Sequence, residues 1–260
     1  MKYKPWYFFF SGLVPSVIIL LLSMFVLSKP STGQEVGGGL STSVLLRKEK
    51  AFSAHISSNG IGFGYRQGKQ NSVTRKTFFE AEISTMKHEK EIRSHNYFTT
   101  RSYYYGKLNS MVVLRPGIGI HRIVSEKPYW GGVEVRYFYF AGASVAVLKP
   151  VYLIVIKANS AATEYYYAEE PYNPDEHFPD NIMGRGSFTK GFNELKLIAG
   201  GYVKGGFHFE FGKDEKIVRS LETGFNLDLY PKHVPLMAFD KNKNIFITFY
   251  ISYCFGKRYD

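Results

Sequence analysis

The sequence has one cysteine, Cys254, and two tryptophans, against 20 tyrosines and 22 phenylalanines in 260 residues. A single thiol excludes an internal disulfide framework and any CxxC metal or redox motif, and Cys254 is expected to be a small inward-facing filler. No cysteine follows the N-terminal apolar run, which argues against a lipoprotein anchor there. The chain also lacks a GxSxG elbow and an HExxH helix. Its histidines, among them His88, His95, His121, His177, His208 and His233, are scattered, and His208 is expected to make a structural hydrogen bond beside Glu210. No catalytic residue, metal site or cofactor is therefore expected. The formal charge is +11, yet no Lys/Arg-rich run, zinc spacing or basic helix accompanies it, so nucleic acid is not the expected partner. A balance of this sign equally suits an anionic lipid surface.

What the chain does have is alternation, clearest at its end. In Asn244–Asp260 the residues Ile245, Ile247, Phe249, Ile251, Tyr253 and Phe255 fall on alternate positions, with Phe246, Thr248, Tyr250, Ser252, Cys254 and Gly256 between them. A β-strand sends successive side chains to opposite faces, so one face is wholly apolar and the other mixed. A soluble sandwich could show this once. Here the pattern recurs with charges on the non-apolar face, which is what a membrane barrel requires: apolar toward lipid, polar toward the lumen. The aromatic content of 17% suits the interfacial girdles of such a barrel.

Residues 1–33 read as a signal peptide. Lys2 and Lys4 precede an apolar run from Trp6 to Leu27, and Ser31 and Gly33 are spaced as a cleavage site, making Gln34 the first mature residue. Losing Lys2, Lys4 and Lys29 with the leader leaves a mature charge of about +8. An uncleaved membrane helix is the alternative, since the run is long enough to span a bilayer.

Residues 34–260 then form the barrel. A first strand is expected over Glu35–Arg47, with Val36, Gly38, Leu40, Thr42 and Val44 on one face, followed by a polar connection at Lys48–Lys50. Ala51–Gln67 reads as one strand with Ile61, Phe63 and Tyr65 outward. Asn59-Gly60 is read there as a bulge rather than a hairpin turn, because Ala51–Ser57 is too short to cross a membrane. Further strands are expected over Lys76–Lys87, Tyr103–Arg122, Gly131–Leu148, Leu195–Phe211, Ile217–Tyr230 and the terminal stretch. Pro116 is expected at a bulge or beyond the lipid zone. Val151–Ile156, after Pro150, is either an extension or a separate strand, so the count is eight with ten as the alternative. Short turns fall at 68–75, 123–130 and 212–216. Longer loops fall at 88–102, 157–194 and 231–243, the asymmetry of periplasmic turns and outer loops. The expected fold is thus all-β: a transmembrane antiparallel up-and-down β-barrel in a Gram-negative outer membrane.

The inward positions gather Arg66, Lys107, Arg115, Arg136 and Lys204 against Glu80, Glu82, Glu134, Glu210, Glu222 and Asp228. Isolated buried charges are costly, so these are expected to pair and plug the lumen, with some at the solvated rims. The long loop 158–194 has an aromatic and acidic centre. Tyr165, Tyr166, Tyr167 and Tyr172 are its candidate partner contacts, with packing over the barrel mouth as the alternative. Asp175, Glu176, His177 and Asp180 could bind a cation through oxygen. Their spacing matches no loop signature, and a solvated acidic turn is the simpler reading.

Three stretches carry a family resemblance: Tyr105–Gly119 (YGKLNSMVVLRPGIG), Gly131–Tyr139 (GGVEVRYFY) and Ile251–Asp260 (ISYCFGKRYD). They resemble small outer-membrane barrels of Bacteroidota, in particular the accessory barrel subunit of that phylum's β-barrel assembly machinery. The resemblance implies a non-enzymatic scaffold whose partners are outer-membrane lipid, other outer-membrane proteins and surface lipoproteins. It carries over no individual functional residue. The chain departs from proteobacterial barrels at its end, where Gly256–Asp260 follow Phe255.

Overall fold

The computed structural model describes residues 48–259 except 73, 96–100, 128–131, 159–163, 213–215 and 241. The leader and the strand expected over 35–47 lie outside these residues. In chain order the strands are β1 (Lys48–Ser57), β2 (Gly60–Ser72), β3 (Arg75–Met86), β4 (Arg93–Ser94), β5 (Tyr103–Tyr104), β6 (Asn109–Ser125), β7 (Val133–Pro150), β8 (Tyr152–Ala158), β9 (Tyr165–Pro171), β10 (Ile182–Arg185), β11 (Lys196–Phe211), β12 (Ile217–Leu229) and β13 (Ile245–Tyr259). Eight of them close into a barrel in the order β1-β13-β12-β11-β7-β6-β3-β2, every pair antiparallel and every step up-and-down.

Closure runs from Lys48↔Tyr259 to Ser57↔Tyr250, so the first and last strands satisfy each other's edges. The alternation sets the faces. On β13 every second residue from Phe246 to Cys254 is buried, while Ile245, Ile247, Phe249, Ile251, Tyr253 and Phe255 are exposed. The exterior is therefore apolar and the interior charged, the reverse of a water-soluble barrel and the pattern of a membrane-spanning one. From Ile245 to Phe255, at roughly 3.3 Å per residue and a tilt of about 40°, the apolar face covers about 25 Å of the barrel axis, the height of a membrane barrel's apolar band.

Eight strands form the barrel, but not the expected eight. Ala51–Gln67 is not one strand: Ser57↔Gly60 closes a hairpin over Ser58-Asn59, and β1 reaches back through Lys48–Lys50, which the sequence presented as a connection. Those three residues continue the alternation, with Glu49 buried and both lysines exposed, and they supply the length that Ala51–Ser57 lacked. Pro116 is neither at a bulge nor beyond the apolar band. It pairs with Ala81, and pairing with β7 lapses between Leu114↔Val145 and Gly117↔Gly142 with no change of register. A proline lacks one donor, so it interrupts the ladder on one side only.

Short connections (around 73–74, 126–132 and 212–216) lie at the end that also holds the start of β1 and the end of β13. The long ones (87–108, 151–195 and 230–244) lie at the other end, with the Ser58-Asn59 turn. Val151–Ile156 does not extend the barrel. It enters β8, the centre of a separate three-stranded sheet ordered β10-β8-β9, so the alternative of ten barrel strands is not realised. The stretch 159–194, expected to be an unpatterned loop, supplies β9 and β10. Seven- and four-residue strands with mixed faces leave no sustained period to detect.

Candidate functional site: the filled lumen and the loop-end cap

The lumen is a continuous chain of ion pairs. Arg115 on β6 bonds Asp228 on β12 through Nε (2.9 Å) and Nη2 (2.8 Å), and reaches Glu82 (2.6 Å) and Ser84 (2.7 Å) on β3 through Nη1. Lys204 on β11 bridges Glu80 (2.6 Å) and Glu82 (2.9 Å). Arg66 on β2 bonds Glu80 through Nε (2.9 Å) and Glu222 through both terminal nitrogens, and Glu222 also meets His208 Nδ1 (2.7 Å). Arg115–Asp228, Lys204–Glu80 and Arg66–Glu222 each join strands three steps apart around the ring of eight, so they span the lumen rather than line it. Towards the short-turn end the chain continues through Arg258, held by Glu210 (2.5 Å) and Glu49 (3.0 Å), and through Lys76 on Glu49 (2.8 Å).

Aromatic rings fill the remaining space. Phe78, Phe138, Phe140, Tyr202 and Tyr250 form one buried cluster. The Arg66 guanidinium lies 5.4 Å from the Phe140 ring centroid and the Lys204 ammonium 4.9 Å from that of Tyr250, which adds cation–π attraction to the pairs. Inward glycines make room for these rings: a Cβ on Gly119 would lie 2.2 Å from the Phe140 ring and one on Gly68 2.3 Å from the Phe78 ring. Cys254 is buried among them, the small filler expected.

Of the expected interior charges, Arg66, Glu80, Glu82, Arg115, Arg136, Lys204, Glu210, Glu222 and Asp228 are buried on the inward face. One is placed elsewhere and one stands at the rim, as expected of some. Lys107 lies outside the barrel wall, in the connection between β5 and β6, where its ammonium pairs with Glu91 at 2.6 Å. Glu134 is half-buried at the short-turn rim, bonded to Arg136. Sequence reasoning missed Glu49, Lys76 and Arg258, whose inward parity continues that of Ala51, Phe78 and Cys254, and also His55 and His121. His208 sits between two carboxylates, with Nδ1 2.7 Å from Glu222 and Nε2 3.8 Å from the expected Glu210.

The long-loop end is closed by an apolar plug. Val234, Leu236 and Met237, from the connection after β12, pack with Met86, Met111, Val113, Leu148 and Phe246 of the wall. The Leu108 amide donates to the Leu236 carbonyl (2.9 Å), and the Asn109 side chain to that of Pro235 (2.7 Å). Above the wall, Tyr103, Leu153, Val155, Tyr172 and Ile182 make a second small core under the β10-β8-β9 sheet.

This separates the candidate contact tyrosines. Tyr165, Tyr166 and Tyr167 are exposed on β9, which among the described residues pairs only with β8 and leaves its other edge free. Tyr172 is instead buried in the cap core, the packing alternative, and burial pushes its hydroxyl pKa up to about 12. Pro171 ends β9, and the Tyr172 amide bonds back to the Val151 carbonyl, turning the side chain under the sheet. Glu169 and Glu170 on the same strand are paired with Lys190 (2.8 Å) and Lys157 (2.6 Å), which hold both carboxyls below the usual range.

The chain is an eight-stranded antiparallel barrel with a charged interior and an apolar exterior. No family model and no curated relative matches it. Among solved structures it is similar to neisserial surface protein A, NspA (7% identity over 82% of this chain and 96% of that one, TM-score 0.39). It is also similar to Ail, the attachment invasion locus protein of Yersinia pestis (7%, 82% and 99%, 0.37), and to the N-terminal β-barrel domain of Pseudomonas aeruginosa OprF (7%, 80% and 96%, 0.36).

Among the described residues two groups of side chains have ligand-like spacing. In His121, His208 and Glu222 the carboxylate already holds Arg66, whose guanidinium lies 3.5 Å from His121 Nε2, so an added cation would face a fixed positive charge. The second group is Glu170, Glu176 and His177, which unites only Glu176 and His177 of the acidic turn singled out in the sequence. There the Lys157 ammonium occupies the cation position, 2.6 Å from Glu170 and 3.8 Å from Glu176. His177 Nδ1 accepts a hydrogen bond from the Asn173 amide, which leaves the ring proton on Nε2, facing the carboxylates. Neither donor set is open to a metal.

Proposed function

We propose that this chain is a non-enzymatic integral barrel of a Gram-negative outer membrane, and that it serves as a scaffold or accessory subunit in an outer-membrane protein assembly complex. The short-turn end then faces the periplasm and the cap faces outward. The observation that carries the reading is the filled lumen. Ion pairs span it, aromatic rings pack it and Val234–Met237 close it, so a solute has no path and the interacting surface is the cap. That cap offers an edge strand bearing three exposed tyrosines, a side chain enriched at interface centres, and its free backbone edge can take an added strand. Surface lipoproteins and other outer-membrane proteins are the expected partners.

The test is copurification in mild detergent of the unmodified chain and of a Tyr165→Ser/Tyr166→Ser/Tyr167→Ser variant. These side chains are exposed, so the variant barrel should fold as before. The unmodified chain is expected to bring down envelope proteins and the variant to lose them by at least about tenfold, the effect of removing one interface hot spot. Equal recovery from both, or no partner with either, contradicts the assignment.

A further inference from the structure

At the short-turn end the outward face changes character. Lys48 and Lys50 on β1, Lys69 on β2, Arg75 on β3, Arg122 on β6 and Lys257 on β13 all point away from the lumen and are exposed. Arg219 on β12 stands one outward step deeper, opposite Phe255. These strands are contiguous in the ring, from β12 through β13, β1, β2 and β3 to β6. β7 and β11 carry Val133, Val135, Phe209 and Phe211 at the same level. The cations thus form an arc rather than a full belt.

Among the described residues the arc is one-signed and makes no ion pair. No carboxylate stands on the outward face of any barrel strand among the described residues. Among the described residues the ion pairs at this end, Lys76–Glu49, Arg258–Glu49, Arg258–Glu210, Arg136–Glu134 and Arg136–Glu210, all face the lumen. At the opposite end the outward positions include the aliphatic Ile56, Ile61, Leu197, Leu229 and Ile245, and the basic Lys149 is turned onto the Phe188 carbonyl of the cap. Aromatic rings stand beside the arc. Lys50 Nζ sits 5.2 Å from the Tyr259 ring centroid, and Arg122 donates to the Tyr137 hydroxyl at 3.3 Å.

We infer that this arc is a docking surface for anionic phospholipid headgroups of the phosphatidylglycerol class, in the leaflet at the short-turn end. The inference rests on the membrane-barrel reading and deepens it by assigning lipid chemistry to one sector of one rim. Long basic side chains bordering an apolar band lay their stems on it and lift their charges to headgroup depth, where lipid phosphates lie. Clustered unpaired cations without intervening acid complement such phosphates, while zwitterionic headgroups bring their own cation. The same charges keep this rim from sinking into the hydrocarbon and so set the depth of the barrel.

The test uses the full chain and a Lys48→Gln/Lys50→Gln/Lys69→Gln/Lys257→Gln variant, each reconstituted in vesicles of phosphatidylcholine alone and mixed equally with phosphatidylglycerol. Spin-labelled phosphatidylglycerol and phosphatidylcholine report the lipid in contact with the barrel. The unmodified chain is expected to prefer the anionic label by at least about fivefold, the effect of one cation at an anionic surface. The preference should fall with added salt and vanish in the variant. A control variant on the cap, Lys90→Gln/Lys243→Gln, should keep it. An inserted barrel with no preference, a preference that survives the four substitutions, or loss of a copurifying acidic protein with lipid preference unchanged overturns the inference alone. A chain that inserts into neither vesicle overturns the membrane reading and this inference with it.

Discussion

Arg115→Met is expected to destabilise the barrel by about 3–5 kcal/mol, the usual cost of removing one partner from a buried ion pair. Arg115 is 1% exposed and is the bridge between Asp228 and Glu82. Without it, Glu82 keeps Lys204 at 2.9 Å, but Asp228 keeps only the Ser144 hydroxyl at 2.8 Å. An uncompensated carboxylate inside a closed wall is the main source of the loss. Arg115→Met/Asp228→Asn is therefore expected to recover most of it, because the second change removes the orphaned charge rather than restoring a contact. Urea unfolding in lipid vesicles, followed by tryptic protection, measures both. A single-variant loss below about 1 kcal/mol would mean that these groups are hydrated rather than paired.

Gly119→Leu is expected to cost about 1–3 kcal/mol, and more if the ring above it cannot move. Gly119 and Phe140 are directly opposed on β6 and β7, both inward, and the ring covers the glycine so closely that even a Cβ would fall 2.2 Å from it. Displacing that ring also disturbs Arg66 and Lys204, whose charges lie 5.4 and 5.7 Å from its centroid. Gly119→Leu/Phe140→Ala exchanges bulk across the same pair and is expected to be more stable than Gly119→Leu alone, a coupling that a double-mutant cycle measures. Additive losses would show that the lumen is looser than a filled one.

The parts that were legible in the sequence are those fixed by parity. Once Phe79, Ile83, Phe249 and Ile251 are taken as outward, Glu80, Glu82 and Tyr250 must be inward, and the structure places them there. The same rule, carried two residues further, would have found Glu49, Lys76 and Arg258. Glu49 escapes it because Lys48–Lys50 looks like a connection, whereas at a membrane rim outward lysines belong to the strand. That misreading also leaves Ala51–Ser57 too short to cross a membrane and so fuses β1 with β2. The cap was illegible for a different reason. β8, β9 and β10 are short and gain their stability from a local core built of Tyr103, Leu153 and Tyr172, residues far apart in sequence, so no window holds the pattern. The plug left a trace, since Val234-Pro-Leu-Met237 is an apolar run within a polar connection, but only the closed wall shows what it packs against.

The central claim is a closed, membrane-spanning barrel whose wall and filled lumen unfold together. The measurement that tests it most directly is the gel mobility of boiled against unboiled chain taken from the outer-membrane fraction. The account predicts a clear shift, with the unboiled form migrating as a compact species, because β1 and β13 leave no free edge from which detergent can open the wall at room temperature. Identical mobility, with the chain in the inner-membrane fraction and residues 1–33 retained, would contradict the barrel and favour a periplasmic β-structure held by an N-terminal anchor.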